Sequence, residues 1–206
     1  MVVGVGITMR DWQTTRLVDL LRRQLDEAWR VIEPNLVGLT DDEYFWEPVV
    51  GCWGVRRRSE ATTSLVWGKG EWVVENSWTP PSPPPFTTIG WRLMHAYDCT
   101  NDYVSRGLWL GPASWNDTEV PGSAAGAVEM MTSLISSVGD RLAALDDSAL
   151  ERGSEGDAER PAWAAVSFAF LELTHHCAEV GVLRSLFRAG AASAASGNVC
   201  GVSTAR

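Results

Sequence analysis

The sequence predicts an all-α protein, a four-helix bundle with one long irregular connection between its first and second long helices. Three observations predict this class. Four long segments carry apolar residues at three- and four-residue spacing, which is typical of amphipathic helices. The stretch between the first two lacks that period and is rich in turn residues. The chain has 206 residues, 45% of them hydrophobic, which suits one domain with a substantial core.

The first helix is predicted over residues 11–33, where leucine and other apolar residues recur on one stripe. We expect Asp11 to cap its start and Pro34 to mark its end. The apolar residues of the stripe are Leu17, Leu20, Leu21, Leu25, Ala28, Trp29 and Ile32.

A short second helix and a long excursion follow. Thr40 and Glu43 have the spacing of a capping box, and Pro48 is expected to end the short helix. Residues 49–87 contain glycines, prolines and aromatic residues, and "SLVWGKGEWVV" is compatible with a β-hairpin. Connections of this length are usually functional or packed over a site.

Three further long helices complete the predicted bundle. Thr87 or Thr88 is expected to cap a helix that continues to about residue 108. Small and Met-rich residues predict a helix over roughly 122–145, and the last helix is predicted over about 161–188.

The predicted organisation is one domain over residues 1–190 and a flexible tail over 191–206. Pro161 suits a first helical turn and Gly190 a position beyond the helix end.

Composition and charge exclude some classes of function. A net charge of −9 and the absence of a long basic run argue against nucleic-acid binding. No apolar run approaches the roughly 20 residues of a membrane span, and the N-terminus lacks the pattern of a signal peptide. The four cysteines have no CxxC spacing, so we expect a reducing cytoplasm and no disulfide framework.

Two of the three histidines are adjacent, and the third lies in the second long helix. His175 and Glu179 are one helical turn apart, so an imidazole nitrogen and a carboxylate oxygen can converge on one cation. The alternative is an ordinary ion pair. His95 lies in a helix that packs against the same core, with Cys99 one turn further on as a buried thiol or a fourth ligand.

The chain resembles the DinB/YfiT-like superfamily of four-helix-bundle metalloenzymes. The resemblance rests on "LVDLLRRQLDEAWRVIEPNLVGLTDDEYFWEPVVGCWGVR", "PPPFTTIGWRLMHAYD" and "LELTHHCAEVGVLRSLFR", and it covers roughly residues 10–190. The first motif is the most distinctive, and the histidine motifs occur in the expected order.

This resemblance implies a divalent-metal site with ligands His95, His175 and Glu179. Most members have histidine where this chain has Glu179, and the related mycothiol-dependent maleylpyruvate isomerases also mix histidine and glutamate ligands. Imidazole and carboxylate suit Zn, Ni, Fe or Mn. Under this reading His175 faces the metal, whereas His176 is structural, and Asp98 is a surface carboxylate.

The resemblance also implies an activity: a cytoplasmic thiol S-transferase that joins a low-molecular-weight bacterial thiol to small electrophiles. The alternatives are a metal-dependent hydrolase on the same scaffold and a non-catalytic, stress-associated bundle that binds a metal or another ligand. A homodimer is expected, with no nucleic-acid or membrane partner. The tryptophans of the excursion either wall the open side of the site or cap the bundle end; they are Trp46, Trp53, Trp67, Trp72 and Trp78.

Overall fold

The computed structural model describes residues 16–79, 81–111 and 113–197, with side chains described as far as Gly190. Its helices are α1 (Leu17–Leu36), α2 (Asp41–Phe45), α3 (Ile89–Gly107), α4 (Ala124–Ala143), α5 (Asp147–Glu151) and α6 (Ala162–Gly197). Its strands are β1 (Val55–Arg57), β2 (Leu65–Trp67), β3 (Trp72–Asn76), β4 (Gly153–Ser154) and β5 (Asp157–Pro161).

Helices dominate the fold, and the four long ones are α1, α3, α4 and α6. They bury apolar stripes against one another, and α3 packs along α6 in the most extensive helix pair. The prediction of a mostly helical protein is confirmed. Two small antiparallel sheets are added to the helices, so the class is not purely α-helical.

The excursion between α1 and α3 holds the larger sheet, in the order β1-β3-β2. Strands β2 and β3 pair antiparallel with Trp67 opposite Val74, which confirms the predicted hairpin. Gly68 and Gly70 adopt positive φ between these strands, a conformation that glycine reaches without strain. The indole nitrogen of Trp91 in α3 donates to the backbone oxygen of Glu75 at 2.8 Å, so the sheet is attached beside the helix that carries His95.

Two predicted helix starts are confirmed. Thr40 and Glu43 form a reciprocal capping box at α2. The Thr88 hydroxyl accepts from the backbone N–H of Trp91 at the start of α3.

Two predicted helix ends are wrong. Pro34 lies inside α1, which continues to Leu36, and Gly190 lies inside α6, which continues to Gly197. Both residues are exposed, and intrinsic helix propensity is a weak constraint that the rest of a helix can override. The predicted cap Asp11 and residues 198–206 of the predicted tail lie outside the described residues.

The segment between α4 and α6, predicted only as a polar connection, contains the short helix α5 and the β4–β5 hairpin. The Asp147 carboxylate accepts from the backbone N–H groups of Leu17 and Val18, both at 2.9 Å. It therefore satisfies first-turn donors of α1 that lack a side-chain cap of their own.

Within the described part of the chain, no helix is both long and apolar enough to cross a membrane. Cys52, Cys99 and Cys177 are all buried free thiols. The expected absence of a disulfide among these three agrees with the structure.

Candidate metal centre

His176, and not His175, faces the protein interior. The His176 residue is 5% exposed, whereas the side chain of His175 is 58% exposed. The prediction that His175 points inward is therefore wrong. His176 shares its stripe of α6 with the buried Leu173 and Val180, three residues before and four after it. Burying that stripe against α3 turns the preceding residue toward solvent.

His95 lies on α3 and faces His176 of α6. The two imidazole rings have centroids 4.4 Å apart and are nearly perpendicular. The Trp91 indole stacks on the His95 ring, with the two ring centroids 4.7 Å apart. The ring centroids of Trp67 and Trp115 lie 6.1 and 5.5 Å from that of His95. Three indoles thus surround His95 and limit the access of water to it.

Glu172 completes a cluster of potential ligands. One ligand atom each from His95, Glu172 and His176 lies within 4.8 Å of the other two. The Glu172 Oε2 is 3.3 Å from the Nε2 of His176, one turn away on the same helix. Two imidazoles and one carboxylate from two facing helices form a donor set that suits divalent transition metals.

Glu179 lies on the other side of the His176 ring. Its Oε2 is 3.1 Å from Nδ1 of His176 and 3.0 Å from Nη1 of Arg92. Nη1 of Arg92 also lies 3.2 Å from Nδ1 of His176, so a carboxylate and a guanidinium both contact this ring nitrogen and fix the orientation of the ring. Nε2 of the exposed His175 lies 3.9 Å from Oε1 of Glu179. His175, His176 and Glu179 form a second group that could hold a metal ion.

The imidazoles of His176, which is buried, and His95, which is partly buried, are kept neutral. Burial, aided by His176 and Arg92, lowers the pKa of His95 to about 3. Burial also lowers the pKa of His176, although its hydrogen bond with Glu179 opposes that shift. One ring nitrogen of His95, Nδ1, is buried without a hydrogen-bond partner in the described structure. Neutral imidazoles near neutral pH are ready to donate a lone pair to a cation.

A comparison with family models identifies the chain. The model described as the DinB superfamily matches residues 24–180. The chain belongs to the DinB superfamily. No curated protein and no solved structure matches it significantly. The match includes both His95 and His176, and metal binding is a general property of this superfamily.

The ligand set predicted for this DinB protein is only partly brought together. His95 lies at the cluster, Glu179 contacts its His176 ring, and His175 lies outside on the exposed face. Glu172 was missed, although Glu172 and His176 have the same four-residue spacing as the pair that was chosen. The apolar stripe around His176 was the signal that could have found it.

Two neighbours of His95 have defined places in this DinB fold. Cys99 is buried, with its sulfur 3.5 Å from Nε2 of His95, and burial raises the pKa of its thiol to about 12. Asp98 is 1% exposed, so the prediction of a surface carboxylate is wrong. The α3 turn that presents His95 to the interior turns Asp98 toward the α3–α4 connection, where it accepts from Thr118.

The tryptophans of the excursion divide between the two predicted roles. Trp67 contacts His95, as expected of a wall around the site. Trp46 packs on Phe187 and Trp72 on Phe45, away from the histidines. Trp91 and Trp115, which lie outside the excursion, supply the rest of the indole wall.

Proposed function

We propose that this DinB protein is a divalent-metal-dependent enzyme whose cation is held by His95, Glu172 and His176. The observation that supports this most strongly is the meeting of two neutral imidazoles, one buried and one partly buried, from facing helices beside one carboxylate. A histidine pair serving only packing would be expected to have its ring nitrogens hydrogen-bonded, and Nδ1 of His95 has no partner among the described residues.

The residues present fit such an ion. Three protein ligands are the number found in catalytic sites, where a further coordination position stays open. A bound divalent cation there would supply a Lewis acid that lowers the pKa of a coordinated thiol or water. Glu179 would orient His176 through Nδ1, and the three indoles around His95 would exclude bulk water.

We propose a thiol S-transferase-like reaction, in which a low-molecular-weight thiol is joined to a small electrophile. Burial raises the pKa of Cys52, and it raises those of Cys99 and Cys177 to about 12. These three thiols are therefore protonated near neutral pH and are poor nucleophiles. In such a reaction a separate thiol cosubstrate would therefore have to provide the sulfur.

Metal loading of two adjacent variants tests the ligand set. We expect wild-type protein, purified without chelator or nickel resin, to bind about one equivalent of Zn²⁺, Ni²⁺, Fe²⁺ or Mn²⁺ by elemental analysis after dialysis. The His176→Ala variant should lose that ion, whereas the His175→Ala variant should retain it. His95→Ala and Glu172→Gln should behave like His176→Ala. Loss in His175→Ala with retention in His176→Ala would restore the set predicted from the sequence.

A second assay tests the reaction. Metal-loaded protein is incubated with a panel of low-molecular-weight thiols and monochlorobimane, and bimane conjugation is followed. We expect conjugation that depends on thiol, ion and His95. Ester hydrolysis without any thiol requirement would indicate the hydrolase alternative. Tight metal binding without either reaction would indicate a non-catalytic, stress-associated binding protein.

A further inference from the structure

A groove adjoins the candidate metal centre on the side of Glu179. Its volume is about 210 Å³, so it suits a small molecule and not a polymer. Most of its walls are apolar, and its charged members are Arg92 and Glu179. The lining residues are Phe86, Thr87, Arg92, Glu179, Val182, Leu183 and Leu186.

Among the described residues that line this groove, Arg92 is the one cation, and three of its five N–H donors have no partner there. Its Nη1 lies 3.0 Å from a carboxylate oxygen of Glu179 and 3.2 Å from Nδ1 of His176, and its guanidinium carbon lies 5.2 Å from the Trp91 ring centroid. Within residues 16–79, 81–111 and 113–197, no group is hydrogen-bonded to Nε or Nη2. The side chain is 21% exposed, and burial lowers the pKa of the guanidinium. A partly buried cation with free donors favours an anionic ligand.

The charge of the surroundings supports the same ligand. Arg92 brings one positive charge, and Glu172 and Glu179 bring one negative charge each. The set is therefore net negative by itself and net positive once a divalent cation joins it. A site of that charge complements a monoanion, and a guanidinium fork matches the two oxygens of a carboxylate.

We infer that this groove binds the acceptor substrate, and that the acceptor is a small carboxylate with an apolar body. Its carboxylate pairs with Arg92, and its apolar body lies on Phe86, Val182 and Leu186. This inference rests on the proposed function, because the groove is assigned to the molecule that meets the activated thiol. The apolar walls suit an electrophile better than a polar bacterial thiol.

The test uses 3-phenylpropionate and its neutral amide, 3-phenylpropanamide, as matched probes. Their binding to metal-free and zinc-loaded protein is measured by isothermal titration calorimetry. We expect the acid to bind at least about tenfold more tightly than the amide, as one charged hydrogen-bonded pair provides. Zinc loading should strengthen binding of the acid more than that of the amide.

Variants assign the preference to the groove. Arg92→Met should reduce binding of the acid to that of the amide, and Arg92→Lys should be intermediate because it keeps the charge without the fork. Arg22→Met, at an exposed position on α1, is the matched control and should match wild type. Leu186→Glu, at a 53% exposed position, places a carboxylate at the rim and should weaken the acid selectively.

Equal binding of acid and amide to wild type, or a preference for the acid that survives both Arg92→Met and Leu186→Glu, would overturn the inference. Zinc stoichiometry is measured on the same samples. Wild type that binds zinc but shows no preference for the acid refutes the groove assignment alone. Wild type that prefers the acid but binds no zinc refutes the proposed function and leaves the carboxylate subsite in place.

Discussion

Asp98 is a buried carboxyl group whose environment favours its protonated form. Burial raises its pKa to about 7, and the hydrogen bond from the Thr118 hydroxyl, at 2.6 Å, only partly opposes this. Its second oxygen, Oδ2, is buried with no hydrogen-bond partner in the described structure. Because the unfolded chain releases this proton near pH 3.8, the folded protein holds the extra proton between about pH 4 and pH 7.

The free energy of unfolding should therefore fall as pH rises through this window, by about 1.4 kcal/mol per pH unit from Asp98 alone. Asp98→Asn removes the titration, so the variant should gain stability relative to wild type between pH 5 and pH 8. Urea denaturation at both pH values measures the difference. Asp117→Asn, at an exposed position, is the control and should show no such gain. If the stability difference between Asp98→Asn and wild type were the same at pH 5 and pH 8, the raised pKa of Asp98 would be contradicted.

The histidine pair shows what sequence could and could not establish at the scale of single residues. The sequence indicated the two helices that carry the candidate cluster, and His95 as one of its members. It offered two equally spaced pairs, Glu172 with His176 and His175 with Glu179. Spacing alone does not choose between them, because both bring their groups one turn apart. The choice depends on which stripe of α6 packs against α3, and that is a tertiary property.

At the scale of elements, a buried ion pair joins α2 to α6, and its arginine also binds the end of α1. Arg184 is 4% exposed and donates to the Glu43 carboxylate at 2.9 and 3.2 Å. It also donates to the backbone oxygens of Asn35, Val37 and Gly38, which follow or end α1. The guanidinium thus satisfies acceptors that a helix end leaves unpaired. Gly38 adopts a φ of 66°, which reverses the chain toward α2.

Arg184→Met should lower the free energy of unfolding by about 3–5 kcal/mol, because it leaves the Glu43 carboxylate and three carbonyl groups partly unpaired. Arg188→Met is the matched control. Arg188 donates to the same carboxylate at 2.9 Å but is 61% exposed, so its loss should cost about 1 kcal/mol or less. Chemical denaturation of both variants gives the comparison, and equal losses would refute the role of burial.

The sheet of the excursion is held together by Glu75, a fully buried carboxylate. It accepts two hydrogen bonds from Thr62, one from Arg56 and one from Gly54. Although burial opposes ionisation, these donors hold its pKa below the ordinary value. The backbone oxygen of the same residue receives the Trp91 indole N–H, so β3 and the wall of the metal centre share one anchor.

Glu75→Gln should destabilise the fold by about 2 kcal/mol or more, because an amide cannot accept at all four positions. It should also weaken metal binding, since Trp91 would lose its fixed position against His95. Glu71→Gln is the control: that exposed carboxylate pairs only with Arg57 on the surface and should cost less than about 1 kcal/mol. Thermal denaturation and zinc titration together provide the readout. Retained stability in Glu75→Gln would contradict this account.

Elements with strong local signals could be predicted, and those set by tertiary contacts could not. The capping box of α2, the Thr88 cap and the β2–β3 hairpin follow from residue chemistry over a few positions. The ends of α1 and α6 do not, because Pro34 and Gly190 lie within helices that continue past them. The β4–β5 hairpin was missed because its five-residue strand is polar and carries no alternation.

At the scale of the whole molecule, metal binding and folding should be coupled. The proposed ligands come from α3 and α6, so an ion held between them binds the folded state and not the separated helices. At a free zinc concentration 100 times the dissociation constant, zinc should raise the free energy of unfolding by about 2.7 kcal/mol. Wild type should therefore melt several degrees higher with zinc than with chelator. His175→Ala should keep this increase and His176→Ala should lose it; an equal increase in both would refute the ligand set.

The homodimer expected from the sequence stays a prediction. The small, Met-rich face of α4 was one possible interface, but it is buried in the protein's own core, with Met131 1% exposed. A dimer would therefore use another surface, and sedimentation velocity over a range of concentrations decides whether one forms.

The three indoles that enclose His95 also give the molecule an optical property. Trp91, Trp67 and Trp115 all have ring centroids within 6.1 Å of the imidazole. An open-shell ion such as Ni²⁺ at His95 would quench their emission at this range, whereas closed-shell Zn²⁺ would not. If Ni²⁺ occupies the proposed site, part of the emission of the eleven tryptophans should therefore be lost, so that occupancy can be followed in unlabelled protein.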